Sequence, residues 1–188
     1  MARSYILKRR GEQQAETRKR IVEATVDLHT EFGPAQTSIS MIAERAGVQR
    51  HTVYAHFPDE RTLLMACSGL ANERDPMPDA ADLRSISDRK TRLRTGLTAL
   101  YAWFERNQQL MGCVMRDAEH NATVREVATQ GFGTRLAAFD DVLGTGLASQ
   151  QRTLLRVALS FYTWRTLTND VGLGTTDAVE AMVRAIAA

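Results

Sequence analysis

Arg50, His51, Thr52, Tyr54 and His56 fall in one short stretch, threaded by the apolar residues Val53 and Phe57. Side chains of these types donate to base edges and phosphate oxygens, so the face they form could meet the major groove of a duplex. Arg50 suits two hydrogen bonds to guanine O6 and N7 or a single phosphate contact, and the two roles stand level. Tyr54 suits a phosphate through its hydroxyl, while His56 either joins the face or packs at the helix end. A second set, Trp103, Phe104, Met111, Met115, His120, Phe139, Tyr162 and Trp164, has the apolar and polarisable character of a ligand cavity, with His120 or Tyr162 to orient a guest. Ordinary core packing explains any one of these positions taken singly. Asp117 and Glu119 suit a cationic ligand or a solvated face equally well.

Little else in the chain suggests bond-making chemistry. Cys67 and Cys113 have neither CxxC spacing nor a neighbouring histidine pair, which reads as two reduced thiols rather than a zinc site or a disulfide. No nucleophile-base pairing or glycine-rich phosphate loop stands out, so a small helical enzyme is a poorly supported rival, and no metal or cofactor is expected.

The polar face needs a scaffold, and Ala46-Gly47-Val48 supplies its turn. Gly47 can adopt the left-handed conformation that ends one helix sharply before another begins. Ala43 and Ala46 let two helices approach closely, and Ile42, Val48, Val53 and Phe57 form the apolar seam between them. This is the layout of a helix-turn-helix. Upstream, Ile21, Ala24, Thr25, Leu28 and Phe32 recur at helical spacing from about Gln13 until Gly33-Pro34 stops the helix, with His29 structural among them. Thr37 or Ser38 caps the second helix, the third spans about Gln49 to His56, and Asp59 caps a fourth that reaches about Glu73. Asp75 to Asp79, with Pro76 and Pro78, is the clearest linker.

Beyond it the pattern is helical throughout. One stripe runs from Leu93 to Phe104 and ends near Asn107, and a shorter one carries Leu110, Met111, Val114 and Met115. A helix from about Thr123 carries Val127, Leu136, Phe139, Val142 and Leu143 across Gly131 and Gly133. Leu154 to Trp164 forms the next, and Thr176 to Ala188 the last. The fold class is therefore all-α: an N-terminal arm and a three-helix helix-turn-helix domain over residues 1–60, then a larger helical domain over 61–188.

The 188 residues carry 24 Lys and Arg against 22 Asp and Glu, a net charge of only +2. The distribution says more than the total. Arg3, Lys8, Arg9, Arg10, Arg18, Lys19 and Arg20 crowd the start against Glu12 and Glu16, and residues 1–11 read as a basic arm that either tracks DNA or stays a solvated tail. No apolar run approaches a membrane span and Met1 to Arg10 lacks a signal-peptide core, so the expected compartment is the cytoplasm.

Thr37-Ser38-Ile39-Ser40-Met41-Ile42-Ala43-Glu44-Arg45-Ala46-Gly47-Val48, followed by Thr52-Val53-Tyr54-Ala55-His56-Phe57-Pro58, resembles the signature of the TetR family of bacterial transcriptional regulators. The resemblance implies a homodimer that binds a palindromic operator and leaves it when a small molecule binds the C-terminal domain. It also implies that Ser38, Ser40, Arg50, His51, Thr52, Tyr54 and His56 lie at the DNA. Where the family commonly has Lys beside the start of helix four, this chain has Glu60, which would repel a phosphate; Arg61 is the candidate replacement. The last two helices would pack against their copies around a two-fold axis, with simple packing inside one chain as the alternative. An architectural DNA binder without an effector is the second rival.

Overall fold

The computed structural model describes residues 2–187, with side chains from Arg9 onward. Ten α-helices follow one another among these residues, and no strand: α1 (Ala2–Glu31), α2 (Ile39–Ala46), α3 (Arg50–His56), α4 (Glu60–Arg74), α5 (Arg89–Ala118), α6 (Ala122–Ala128), α7 (Thr134–Leu143), α8 (Ser149–Ala158), α9 (Phe161–Arg165) and α10 (Thr175–Ala187). They divide into two compact units. One comprises Met1–Pro76 and Gly112–Ala128, the other Met77–Met111 and Thr129–Ala188.

In the first unit α1 packs on α2 and α4, α2 on α3, and α4 on α6. The apolar stripe of α1 meets the seam of the helix-turn-helix, so Ile21, Leu28, Ile42, Ala43, Ala46, Val53 and Phe57 are all buried in one cluster. Thr25 sits among them without cost to its hydroxyl, which donates 2.7 Å to the Ile21 carbonyl one turn back. Local chemistry sets the ends of the elements. Ser38 Oγ accepts from the Met41 amide, Thr37 instead donates to the Gly33 carbonyl at 2.8 Å, and Asp59 Oδ1 accepts from the Thr62 amide at 2.7 Å.

Two expectations change in this unit. α1 starts at Ala2, so the backbone of the supposed arm is helical; the side chains of Arg3 and Lys8 lie outside the described residues. Phe32 does not extend the buried stripe and is 41% exposed, because α1 ends at Glu31 and Gly33 turns the chain with φ of 94°. The compact unit also runs past residue 60 to Pro76 and takes back 112–128, so the functional division near Arg61 lies inside it.

In the second unit α7 and α10 each pack on α8, and Leu93, Leu97, Leu100 and Phe104 of α5 are fully buried. Three helix boundaries differ from the sequence pattern. α5 does not stop at Asn107: that side chain donates 3.0 Å to the Trp103 carbonyl within the helix, and the two stripes are one helix of 30 residues. α6 and α7 are joined through a π-helical turn, Thr129–Gly133, at the two glycines. The stretch from Leu154 to Trp164 is two helices, since Ser160 is extended with ψ of 133° and the buried Tyr101 hydroxyl donates 2.8 Å to the Ala158 carbonyl at the break. Between Pro76 and α5 the linker is ordered, with Met77 buried and a 3-10 turn over Ala80–Ser85.

Candidate functional site

Gly47 ends α2 in the left-handed region, φ 64° and ψ 41°. Its amide donates to Glu44 and the Val48 amide donates back to Ala43 at 2.9 Å, the paired hydrogen bonds that close a helix through a glycine turn. Arg20 adds a guanidinium donor to the Ala46 carbonyl at 3.2 Å, satisfying a carbonyl that the helix end leaves open. α3 is then fixed from below, with Val53 wholly buried and the Phe57 ring beneath the Arg18 guanidinium at 4.7 Å. Two residues of the basic N-terminal crowd thus hold α3 in place. The sequence offered no sign of this, because their partners lie 26 and 39 residues away.

With that face anchored, the rest of α3 points outward. Arg50, His51 and Tyr54 are exposed, Tyr54 at 50%, while Thr52 and His56 are half-buried. Ser38 and Ser40 are exposed at and beside the start of α2. Ser38 and Tyr54 also line a common cleft of about 390 Å³ with Thr37, Pro58 and Asp59, so the structure brings these two candidates together. Arg61 is drawn away: its Nε lies 2.9 Å from Glu126 Oε1 in an exposed ion pair, and Glu60 accepts from Asn121 Nδ2 at 3.1 Å.

The same unit holds a buried polar pair. His29 is 6% exposed, and burial pushes its pKa from 6.5 down to about 4 although the nearby Asp117 carboxylate pulls the other way. Asp117 is itself buried, which raises its pKa, but its bonds to Arg116 at 2.7 Å and to the Ala35 amide at 2.8 Å outweigh that and hold it below the usual carboxylate range. It therefore locks the Gly33–Pro34 turn and is not the counter-ion for a cationic ligand. Cys67 is a buried thiol pushed up to about 12, inert at neutral pH.

The second candidate set is only partly assembled. Trp103, Phe104 and Trp164 come together in the second unit, joined by Tyr101, Phe132 and Phe161, which the sequence reading did not single out for this role. Phe104 is the hub, with ring centroids 5.6 Å from Phe161 and 5.8 Å from Trp164. Met111 and Phe139 are buried in the same unit, and Tyr162 is 40% exposed with its ring edge-on to Phe161. Met115 and His120 belong to the other unit, His120 exposed just past the end of α5. Phe132 could have been noticed, since an aromatic residue between two glycines is an unusual filling for a helix. No group of three metal-ligating side chains occurs among the described residues, nor any helix long and apolar enough to cross a membrane.

Residues 21–67 match the family model described as bacterial regulatory proteins, tetR family. A transcriptional repressor, KstR of Mycolicibacterium smegmatis, is 30% identical over 123 residues, 65% of this chain and 53% of the relative. The chain thus spans about half the length of that curated relative. TtgR of Pseudomonas putida, a transcriptional regulator, is 38% identical over 61 residues, 32% of this chain and 29% of the relative. Among solved structures, the hemolysin II regulator HlyIIR superposes with a TM-score of 0.67 at 16% identity, covering 92% of this chain and 97% of the other. FadR of Bacillus subtilis, solved with stearoyl-CoA, gives 0.62 at 20% identity over 89% and 96%. These two likenesses concern the fold.

Proposed function

We propose that this chain, which belongs to the TetR family of transcriptional regulators and is not an enzyme, works in the cytoplasm as a homodimeric repressor that a small molecule releases from a palindromic operator. The observation that carries the reading is the anchored, outward-facing α3: its apolar side is locked by Val53 and Phe57, which leaves Arg50, His51 and Tyr54 free to enter a major groove. Thr52 and His56 flank them, Ser38 and Ser40 add contacts from α2, and Arg61 reaches a phosphate only by giving up Glu126. Residues 1–60 carry the DNA contacts, and 61–188 the effector site and dimer contacts.

A single seven-residue reading helix covers too few base pairs, so two must stand about 34–36 Å apart in successive major grooves. α8 leaves Leu154 and Val157 36% and 49% exposed, apolar surface that a second copy would cover, and this supports the share of α8 in a dimer face built from α8 and α10. A ligand that prefers a differently spaced dimer then weakens DNA binding in proportion to its differential affinity. The FadR neighbour was solved with stearoyl-CoA, which makes a long-chain acyl thioester the first effector class to try.

The test is fluorescence anisotropy with labelled duplex from upstream of the gene, beside sedimentation to establish the dimer. Specific binding with a two-fold symmetric footprint is expected, and Arg50→Ala should cost about 1–3 kcal/mol and relax preference at one guanine per half-site. A dimer that binds no duplex specifically at low salt overturns the proposal.

A further inference from the structure

We infer that the cleft of the first unit binds a small organic cation with an apolar body, and that this guest competes with DNA; the competition alone rests on the function proposed above. The cleft measures about 390 Å³, within the range of small-molecule sites, and is lined wholly by residues of that unit. Its lining is of two kinds. His29, Ile42, Phe57 and Leu63 are buried and form a mostly apolar floor, whereas Ser38, Tyr54, Asp59 and Glu60 reach solvent.

Charge points to a cation. Asp59 and Glu60 are in the lining, and no lysine or arginine joins them. Asp59 Oδ1 accepts from the Thr62 amide and Glu60 Oε1 from Asn121 Nδ2, both neutral donors, and neither carboxylate has a cationic partner among the described residues. Arg61, next along the chain, is held by Glu126. Two uncompensated negative charges beside an apolar floor favour a cation and disfavour an anion. Glu60 thereby gains a role that DNA binding denies it, since a carboxylate there repels phosphate.

His29 points the same way. Its ring is 6% exposed, lines the cleft and makes no hydrogen bond among the described residues. A polar group buried without a partner in the chain is costly, so its partner comes from outside the chain. Burial holds this imidazole well below its ordinary pKa, so it is neutral at physiological pH and offers a guest one N–H and one lone pair without repelling positive charge. An apolar floor with one neutral polar group, opening beside two carboxylates, receives a compact ammonium ion rather than an acid. Ser38 and Tyr54 belong to the same lining and also to the candidate DNA contacts, so a guest that covers them and a duplex that needs them exclude each other.

The test is isothermal titration calorimetry of the full-length protein at neutral pH with three compounds of one skeleton: the cation 2-naphthylethylamine, the neutral 2-naphthylethanol and the anion 2-naphthylacetate. The amine should saturate about fivefold tighter than the alcohol, the gain that two exposed ion pairs supply, and the acid should bind more weakly than either. When Asp59→Asn and Glu60→Gln are combined, the preference should fall to about one while the alcohol keeps its affinity. Asparagine caps a helix as well as aspartate does, and glutamine still accepts from Asn121. Glu60→Gln alone, which leaves the cap untouched, should about halve the preference. No saturation, an amine no tighter than the alcohol, or a preference that survives both substitutions overturns the inference.

Repeating the amine titration with saturating duplex from upstream of the gene separates the cleft from the proposed function. The amine's affinity should fall by about tenfold. A specifically bound duplex that leaves that affinity unchanged or tightens it overturns the competition. A protein that binds no duplex specifically overturns the proposed repressor instead, and the titrations without DNA still decide the cleft.

Discussion

Acidification should destabilise the first compact unit through His29. The imidazole is 6% exposed and titrates at about 4 in the folded chain, against 6.5 when unhindered, because burial disfavours the cation more than the Asp117 carboxylate favours it. The unfolded chain therefore binds a proton below 6.5 that the folded chain refuses down to about 4. The stability His29 permits is complete above 6.5, drains away as pH falls, and stops falling near 4, where the folded form also protonates. A gap of about 2.5 pH units at about 1.4 kcal/mol each limits the loss to about 3 kcal/mol, of which about 2 kcal/mol is gone by pH 5. The assay is urea unfolding followed by far-UV circular dichroism at pH 7.5 and pH 5, on the unmodified protein and on His29→Gln. Tryptophan emission is recorded in parallel, because Trp103 and Trp164 report the other unit. Gln stays neutral throughout, so whatever it costs at pH 7.5, it should lose about 2 kcal/mol less than the unmodified protein on going to pH 5. Parallel losses in the two proteins would refute the reasoning, since every other titrating group is common to both.

Two further substitutions test the frame of each unit. Gly47→Ala places a Cβ in left-handed backbone, where its nearest contact is Arg20 Nη1 at an unstrained 3.8 Å, so the cost is conformational alone, about 1–2 kcal/mol by urea unfolding; an unchanged midpoint would contradict the turn geometry. Tyr101→Phe removes the hydroxyl that meets the Ala158 carbonyl and should destabilise by about 1–2 kcal/mol in thermal unfolding, whereas an unaltered melting temperature would show that the bond at the break contributes nothing.

What could be read from the chain, and what could not, divides along sequence distance. Gly47, Ser38 and Asp59 act on residues three or four positions away, and the spacing that puts Val53 and Phe57 on one side of α3 is itself local, so α3, the turn before it and the neighbouring caps were legible. The break between α8 and α9 was not. Apolar residues at 154, 155, 158, 161 and 164 keep helical spacing straight through it, while the group that satisfies the freed carbonyl is a phenol 57 residues earlier. The same holds for Arg18 and Arg20: seven basic residues in a row of polar ones read as an electrostatic footprint, yet two are consumed by Phe57 and Ala46. Charge content alone therefore overstates the cations this face can offer to phosphates, and the dependence of DNA affinity on salt should reflect the exposed residues of α3 and the start of α1 more than the full basic count. For the ligand set the limit was of a different kind. Residue type put Trp103, Phe104 and Trp164 in one candidate set with Met115 and His120, but it could not tell that only the first three share a cluster, because membership of a cluster is decided by which turn of a long helix faces which neighbour. α5 carries Trp103 and Met115 on one uninterrupted helix and delivers them to different compact units.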